Sequence, residues 1–274
     1  MYNRVFLSVA EKELLLVIRH PFQLFYEILL PVIKMIPSIM LGSYMLLKNG
    51  KTIFLSKTGT TDEILFISLS VLFTVFIDIQ EQVGYFLENE MWMGTLEQLW
   101  MTPVKKLALV MGWVLFALIK AVVYGAISML TIILLTNGNW EYWSNINVPL
   151  FAFSITSLFL ISVVNGIFIS EISLRFRQAD AIIFFITMIV PLLSGISYPT
   201  SIFPDPIRYV SYILPTTYIY DLIRFSMMGT YTITSVSIEI TIVILLIGIS
   251  AILAICIFSS VIRRLEKWGT IYMK

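Results

Sequence analysis

Six long apolar runs divide this 274-residue sequence. A helix needs about 20 apolar residues to cross the hydrocarbon core of a bilayer. The runs cover residues 22–47, 64–85, 104–135, 149–170, 179–198 and 236–261. Hydrophobic residues make up 58% of the chain and charged residues only 13%, which indicates lipid rather than water as the surrounding solvent. The sequence therefore predicts an all-α polytopic membrane protein with six transmembrane helices in a single transmembrane domain, residues 1–274.

The distribution of Lys and Arg predicts which side of the membrane each loop faces. An even number of spans puts both termini on one side, and that side carries more Lys and Arg than the other, including Arg4, Lys105 and Arg175. Cytoplasmic loops carry an excess of positive residues. We therefore expect a multi-pass protein of the cell (inner) membrane with both termini in the cytoplasm.

Residues 1–20 and 88–101 are amphipathic and too polar to span a bilayer. In the first segment Lys12 lies on the helical face opposite Ala10, which predicts an N-terminal interfacial helix in the headgroup plane. The second segment lies between spans two and three on the predicted cytoplasmic side, and Pro103 ends it. Anionic lipid repels its acidic face. We therefore expect this segment to dock into a groove of a soluble partner rather than to lie on the membrane surface.

Residues 199–229 hold two apolar pieces that are too short to span and are separated by prolines. The prolines are Pro199, Pro204, Pro206 and Pro215. Irregular backbone at membrane depth survives only where protein buries it or where it lines a cavity. This segment therefore predicts an outer, re-entrant helical hairpin before the last span. Asp221 and Arg224 are three residues apart, so we expect them to pair on one helix face, with substrate contact as the alternative.

Five charged residues fall inside predicted spans, where each costs at least about 2.5 kcal/mol on insertion scales. They are Glu27, Lys34, Asp78, Glu81 and Lys120. Glu27 precedes Lys34 by two helical turns on the same face of span one. A network of two cations and three acids inside the bundle would pair the spans, line the substrate path or relay protons, and the sequence leaves these three roles open.

Side chains that build catalytic or metal sites are scarce. His20 is the only histidine and Cys256 the only cysteine, which excludes a His-based triad and a cysteine metal cluster. Gly50-Lys51-Thr52 resembles the end of a phosphate-binding loop, but Met45 stands where the leading glycine is required. The net charge of +1 offers no surface for nucleic acid. We expect a transport subunit without catalytic residues, metal or cofactor of its own.

Two motifs, in order along the chain, resemble the type-2 (ABC-2) permease family of ABC transporters. The first is EMWMGTLEQLWMTPV at residues 90–104. The second runs from SGISYP at 194–199 through LPTTY at 214–218 to DLIR at 221–224. The resemblance extends along the chain, because an interfacial helix, six spans and a proline-rich hairpin before the last span follow one another in the family's order.

This resemblance implies a dimer of permeases around a central pathway, with two cytoplasmic ABC ATPase subunits that bind ATP and Mg²⁺. In the family, the short helix between spans two and three receives the motion of the ATPase together with the N-terminal interfacial helix. The matching positions here are Glu90, Gly94, Glu97 and Leu99, and the outer hairpin would cap the exit.

We therefore expect the permease subunit of an ATP-driven exporter of a hydrophobic or amphiphilic compound, such as a drug, a peptide antibiotic or a lipid. Export of a lipid-linked glycan is an alternative within the family. An ion-coupled secondary carrier would use Lys34, Lys120, Asp78 and Glu81, but the sequence has no visible inverted repeat. Substrate identity, import against export, and a homodimer against a heterodimer stay open.

Overall fold

The computed structural model describes residues 2–22, 25–26, 29, 33, 63–95, 98, 101, 106–135, 146–176, 180–196, 200–230 and 232–268. Every regular element in these ranges is helical, which confirms the predicted all-α class for this part of the chain. The α-helices are α1 (Tyr2–Arg19), α2 (Glu63–Trp92), α3 (Lys106–Leu135), α4 (Val148–Phe176), α5 (Asp180–Leu193), α6 (Asp205–Ser211), α7 (Pro215–Met228) and α8 (Val236–Trp268). A 3₁₀ turn occupies Thr200–Ile202. Most of the predicted first span, with Glu27 and Lys34, lies outside the described residues.

Three helices of the described part are long and apolar enough to cross a membrane. The qualifying segments are Ala108–Thr131 of α3, Val148–Ile172 of α4 and Val236–Ser260 of α8. They match the predicted spans 104–135, 149–170 and 236–261. The count of six spans stays a prediction. In the fifth predicted span, α5 has 14 residues, so at about 21 Å it is shorter than a hydrocarbon core of about 30 Å.

Helix α2 continues beyond the end of the predicted span 64–85 and stops at Trp92. Residues 86–92 contain neither glycine nor proline, so nothing in the backbone ends the helix before Gly94. The prediction that a separate coupling segment begins at residue 88 is therefore wrong, and Glu90 belongs to α2.

Helices α2 and α4 run parallel and approach closely along a seam of two glycines. A Cβ added at Gly84 would lie 2.4 Å from Cγ2 of Ile169, and one at Gly166 would lie 2.6 Å from Cβ of Val83 and 2.9 Å from the Gln80 carbonyl. Small residues let helix backbones approach in this way inside membranes. Helix α3 runs in the opposite direction, since it contacts the late part of α2 near its own beginning.

Helix α1 packs on α3 at Gly112, where an added Cβ would lie 2.7 Å from Cβ of Val9. Ala10 is buried in a cluster that includes Phe86 of α2 and Trp113 of α3. The apolar face that the sequence assigns to lipid therefore contacts protein. Exposed apolar side chains of α1 lie on a neighbouring face, at Leu7, Leu15 and Ile18.

The segment after α5 forms two short helices, as the prolines predict. Pro204 is the N-cap residue of α6, and Pro215 is the first residue of α7, where its missing N–H is not needed. Helix α7 packs against α4 and α8, and Ile219, Leu222 and Ile223 are fully buried. The hairpin is thus built into the core through α7, whereas its re-entrant placement in the membrane stays a prediction.

Candidate functional site

The end of α2 is shaped by a Schellman motif around Gly94. Gly94 has a φ of +68°, the left-handed conformation that glycine adopts without a steric cost. The Thr95 N–H donates to the Glu90 carbonyl at 3.0 Å, and the Gly94 N–H donates to the Met91 carbonyl at 3.1 Å. These two hydrogen bonds satisfy carbonyls that a helix end otherwise leaves open, and they fix the direction in which the chain leaves α2.

The Glu90 carboxylate joins three segments at this helix end. Lys12 Nζ of α1 lies 2.5 Å from Glu90 Oε1, and the Thr95 hydroxyl donates to Glu90 Oε2. Only 2% of Glu90 is exposed, so the charge is paired rather than presented to a partner. Burial lowers the pKa of Lys12, but the hydrogen bond and charge of Glu90, with the charge of Glu13, outweigh it and leave the pKa raised. Lys12 therefore stays charged.

Glu13 extends this cluster from α1 toward α3. Its Oε1 lies 3.2 Å from Lys12 Nζ, and its carboxylate is also attracted by Lys120 of α3. Burial raises the pKa of Glu13, and the charge and hydrogen bond of Lys12 oppose that rise. Lys120 is buried, with its Nζ 5.4 Å from the ring centre of Phe116 and 5.3 Å from that of Tyr124.

We define Lys12, Glu13, Glu90, Thr95 and Lys120 as the α1–α2 junction. Among the predicted site residues, the structure brings Glu90 and Gly94 together at the end of α2 and places Lys120 within electrostatic reach of Glu13. Sequence reasoning did not assign functional roles to Lys12, Glu13 and Thr95, and no local pattern signals their pairing, because the contacts join three separate segments.

The structure describes only some of the other residues that the sequence assigns to functional sites. Asp78 and Glu81 lie in α2, half-buried, and both take part in interactions. Glu97 and Leu99 lie outside the described residues, as do Glu27, Lys34 and Pro199. The proposed roles of these residues stay predictions.

A second buried charged group lies at the opposite end of the bundle, in the hairpin. Arg224 of α7 is 3% exposed, and its Nη2 donates to the carbonyls of Gly195 at 2.8 Å and Ile196 at 2.7 Å. Its guanidinium carbon lies 5.5 Å from the ring centre of Phe73 in α2. Arg224 thereby attaches α7 to the end of α5 and to α2.

The Asp221 carboxylate hydrogen-bonds to the backbone of the turn before α8, whereas the sequence predicts a pair with the Arg224 side chain. Its Oδ2 accepts the Ile233 N–H at 2.8 Å, which fixes the turn before α8. The charge of Asp221 still attracts Arg224. In the same turn, Glu239 Oε1 accepts the Thr234 N–H at 2.8 Å. The charged residues of the hairpin therefore stabilise the connections from α5 to α7 and from α7 to α8.

Comparison with known proteins identifies the family of this fold. The sequence family described as ABC-2 type transporter matches residues 4–228. The matched range holds both motifs, the α1–α2 junction and the hairpin, and α8 follows it. No curated protein sequence matches the chain. Because the family match covers most of the chain, this protein belongs to the ABC-2 type transporter family, and it is a permease, the membrane component of an ABC transporter.

Proposed function

We propose that this permease belongs to an ATP-driven exporter, paired with a second permease, a copy or a homologue, and driven by two separate cytoplasmic ABC ATPase subunits that bind ATP and Mg²⁺. The observation that carries the proposal is the α1–α2 junction. Glu90 binds α1 through Lys12 and the segment after Gly94 through Thr95. A displacement of that segment therefore pulls on two helices at once.

Exposed apolar side chains at the end of α2 and in the connection to α3 support docking of a soluble partner. Trp92 is 82% exposed and Met101 is 75% exposed. Large aromatic side chains are common anchors of protein interfaces. We propose that they enter the ATPase groove, and that Glu97 and Leu99 take part in coupling as the family resemblance implies.

The packing of α1 supports a path for the motion into the membrane. The close contact at Gly112 leaves no space between α1 and α3, and Glu13 attracts Lys120 deeper in α3. Packed helices move as discrete bodies rather than deform continuously. We propose that α1, α2 and α3 respond together when the ATPase subunits close.

The proposed substrate is a hydrophobic or amphiphilic compound taken from the cytoplasm or the inner leaflet. Many of the side chains exposed on the described helices are apolar, among them Leu118, Val122 and Leu130 of α3. Such a surface favours contact with a hydrophobic or amphiphilic compound. We propose an inner-membrane location with the α1–α2 junction and both termini on the cytoplasmic side.

The first test is purification of the tagged chain from its native host in mild detergent. We expect an ABC ATPase subunit to copurify at near one-to-one stoichiometry and to hydrolyse ATP. A folded, monodisperse chain without an ATPase would contradict the proposal.

The second test separates docking from transport. In reconstituted vesicles, Glu97→Lys is expected to uncouple ATP hydrolysis from movement of an amphiphilic dye, with Glu11→Lys on the exposed face of α1 as the charge-matched control. Normal dye transport by Glu97→Lys would reject the coupling role of Glu97. Dye uptake into inverted vesicles indicates export, and release from them would reject it.

A further inference from the structure

A cavity of about 330 Å³ lies between α2, α3 and α4, beside the stretch of α3 that holds Lys120. Most of its lining is aliphatic or aromatic. The main lining residues are Phe76, Leu118, Val122, Gly125, Ile155 and Phe159. The volume falls within the range of about 300 to 1,000 Å³ that is typical of small-molecule sites.

The cavity lies at membrane depth and opens sideways. Its α3 residues run from Leu118, at the middle of Ala108–Thr131, into the later half of that segment, and its α4 residues belong to the earlier half of Val148–Ile172. Because α3 and α4 are antiparallel, these stretches share one depth, in the half of the membrane nearer to α7. Val122 and Thr156 are exposed at the rim, so the cavity opens to the outside of the protein along two helices that are apolar enough to span a membrane.

Water does not suit this cavity. Thr156 supplies the only hydroxyl among the described lining residues, and that hydroxyl donates to the Ala152 carbonyl of its own helix at 2.8 Å. A buried water needs two to four polar partners. If the space stayed empty, the side chains around it would lose dispersion contacts. A Cβ at Gly125 would meet no heavy atom within 4 Å, so the space extends to the α3 backbone.

We propose that this cavity binds one acyl chain of a membrane phospholipid, held between α3 and α4. An acyl chain is flexible, fully apolar and abundant at this depth, which matches a lateral opening with an apolar lining. Its headgroup would stay at the interface nearer to α7. Occupancy of this site by membrane lipid does not depend on whether the permease exports.

The test uses a phospholipid that carries a photoreactive diazirine near the end of one acyl chain. Membrane vesicles containing the full chain are irradiated, and labelled peptides are located by mass spectrometry. We expect the label to concentrate on residues 118–125 and 155–159 above the level found on the exposed face of α8, at Ile249 and Ile252.

Gly125→Phe is the decisive variant, because its ring would fill the cavity from the α3 backbone. We expect labelling of residues 155–159 to fall about tenfold, since a filled site leaves no room for a second apolar group. Gly248→Phe in α8 is the matched control, because a Cβ at Gly248 also meets nothing within 4 Å. If Gly125→Phe does not fold, as judged by gel filtration, Gly125→Leu replaces it.

Two results would overturn the proposal. One is equal labelling of the cavity and the α8 face in the unaltered protein. The other is a folded Gly125→Phe variant with unchanged labelling at residues 155–159.

Discussion

Gly94 occupies a backbone conformation that other residues adopt only at a cost. Its φ is +68°, and an added Cβ would meet nothing within 4 Å, so a substitution acts through the backbone alone. We expect Gly94→Ala to destabilise the protein by about 1 kcal/mol, measured by thermal unfolding in detergent. Gly94→Asn is the control, because asparagine tolerates the left-handed region, and it should unfold closer to the unaltered protein. Equal losses in both variants would contradict this explanation.

The Lys12–Glu90 pair is expected to contribute to stability because one partner is buried. Hydrogen bonds to charged groups contribute about 1.5 to 3 kcal/mol, and the 44% exposure of the Lys12 side chain reduces this. We therefore expect Lys12→Glu, which places two acids together, to lower the unfolding temperature more than Glu11→Lys does on the exposed face of the same helix. The double variant Lys12→Glu/Glu90→Lys should recover part of the loss. No recovery would reject a direct pair.

At this scale the sequence predicts backbone features better than partners. The helix end at Gly94 has a local signal, a glycine after a helical run, although the sequence pattern predicts residues 88–101 as one amphipathic segment. The partner of Lys12 is not visible, because Glu90 lies 78 positions away and its choice depends on how α1 crosses α2. The same reason explains why Asp221 and Arg224, although three residues apart, hydrogen-bond to other segments.

At the scale of elements, the glycine seam sets how closely α2 and α4 pack. A methyl group at Gly166 would lie 2.9 Å from the Gln80 carbonyl, a backbone atom that moves only with its helix. We expect Gly166→Ala to destabilise the protein by about 1 to 3 kcal/mol through overpacking. Gly125→Ala, in an open part of α3, should instead gain up to about 1 kcal/mol from helix propensity. Thermal unfolding distinguishes the two, and equal stabilities would reject the seam.

The attachment of α7 to α5 depends on a buried arginine. Arg224→Met removes both hydrogen bonds to the carbonyls of Gly195 and Ile196, which costs about 1 to 3 kcal/mol for each buried group left unsatisfied. Arg208→Met is the control, because Arg208 in α6 pairs with Asp205, which is largely exposed. Such surface pairs contribute about 0 to 1 kcal/mol. A comparable loss of unfolding temperature in both variants would contradict this role of Arg224.

Helix α7 illustrates what sequence patterns miss at the element scale. Its charges and the flanking prolines indicate a surface or re-entrant hairpin, and the two short helices are confirmed. Ile219, Leu222 and Ile223 have the spacing of a buried helical face, which was the available signal for its place in the core. The spans that became α3, α4 and α8 were predictable because their length and apolar content are local properties.

At the scale of the whole molecule, the junction and the hairpin lie at opposite ends of the bundle. Tyr220 of α7 stacks on Phe73 in the early part of α2, with ring centres 4.3 Å apart, whereas Met93 follows the last residue of α2. With Cys256 changed to serine, we expect Tyr209→Cys in intact cells to react with a membrane-impermeant thiol reagent. Met93→Cys should react only after permeabilisation. Both residues are largely exposed, so access depends on the side of the membrane.

The reverse labelling pattern would invert the proposed orientation and move the ATPase contact away from the junction. Labelling of both cysteines in intact cells would contradict placement of the two ends on opposite sides of one membrane.

The glycine seam between α2 and α4 also has a mechanical consequence. The side chain of Ile169 packs against α2 at Gly84, and the side chain of Val83 packs against α4 at Gly166. If one helix slid along the other, both side chains would collide with backbone atoms. We therefore expect α2 and α4 to move as one rigid unit, which contacts the junction at one end and α7 near the other. We expect any passage through this permease to open where this pair, together with α1 and α3, meets the rest of the protein, and not between α2 and α4.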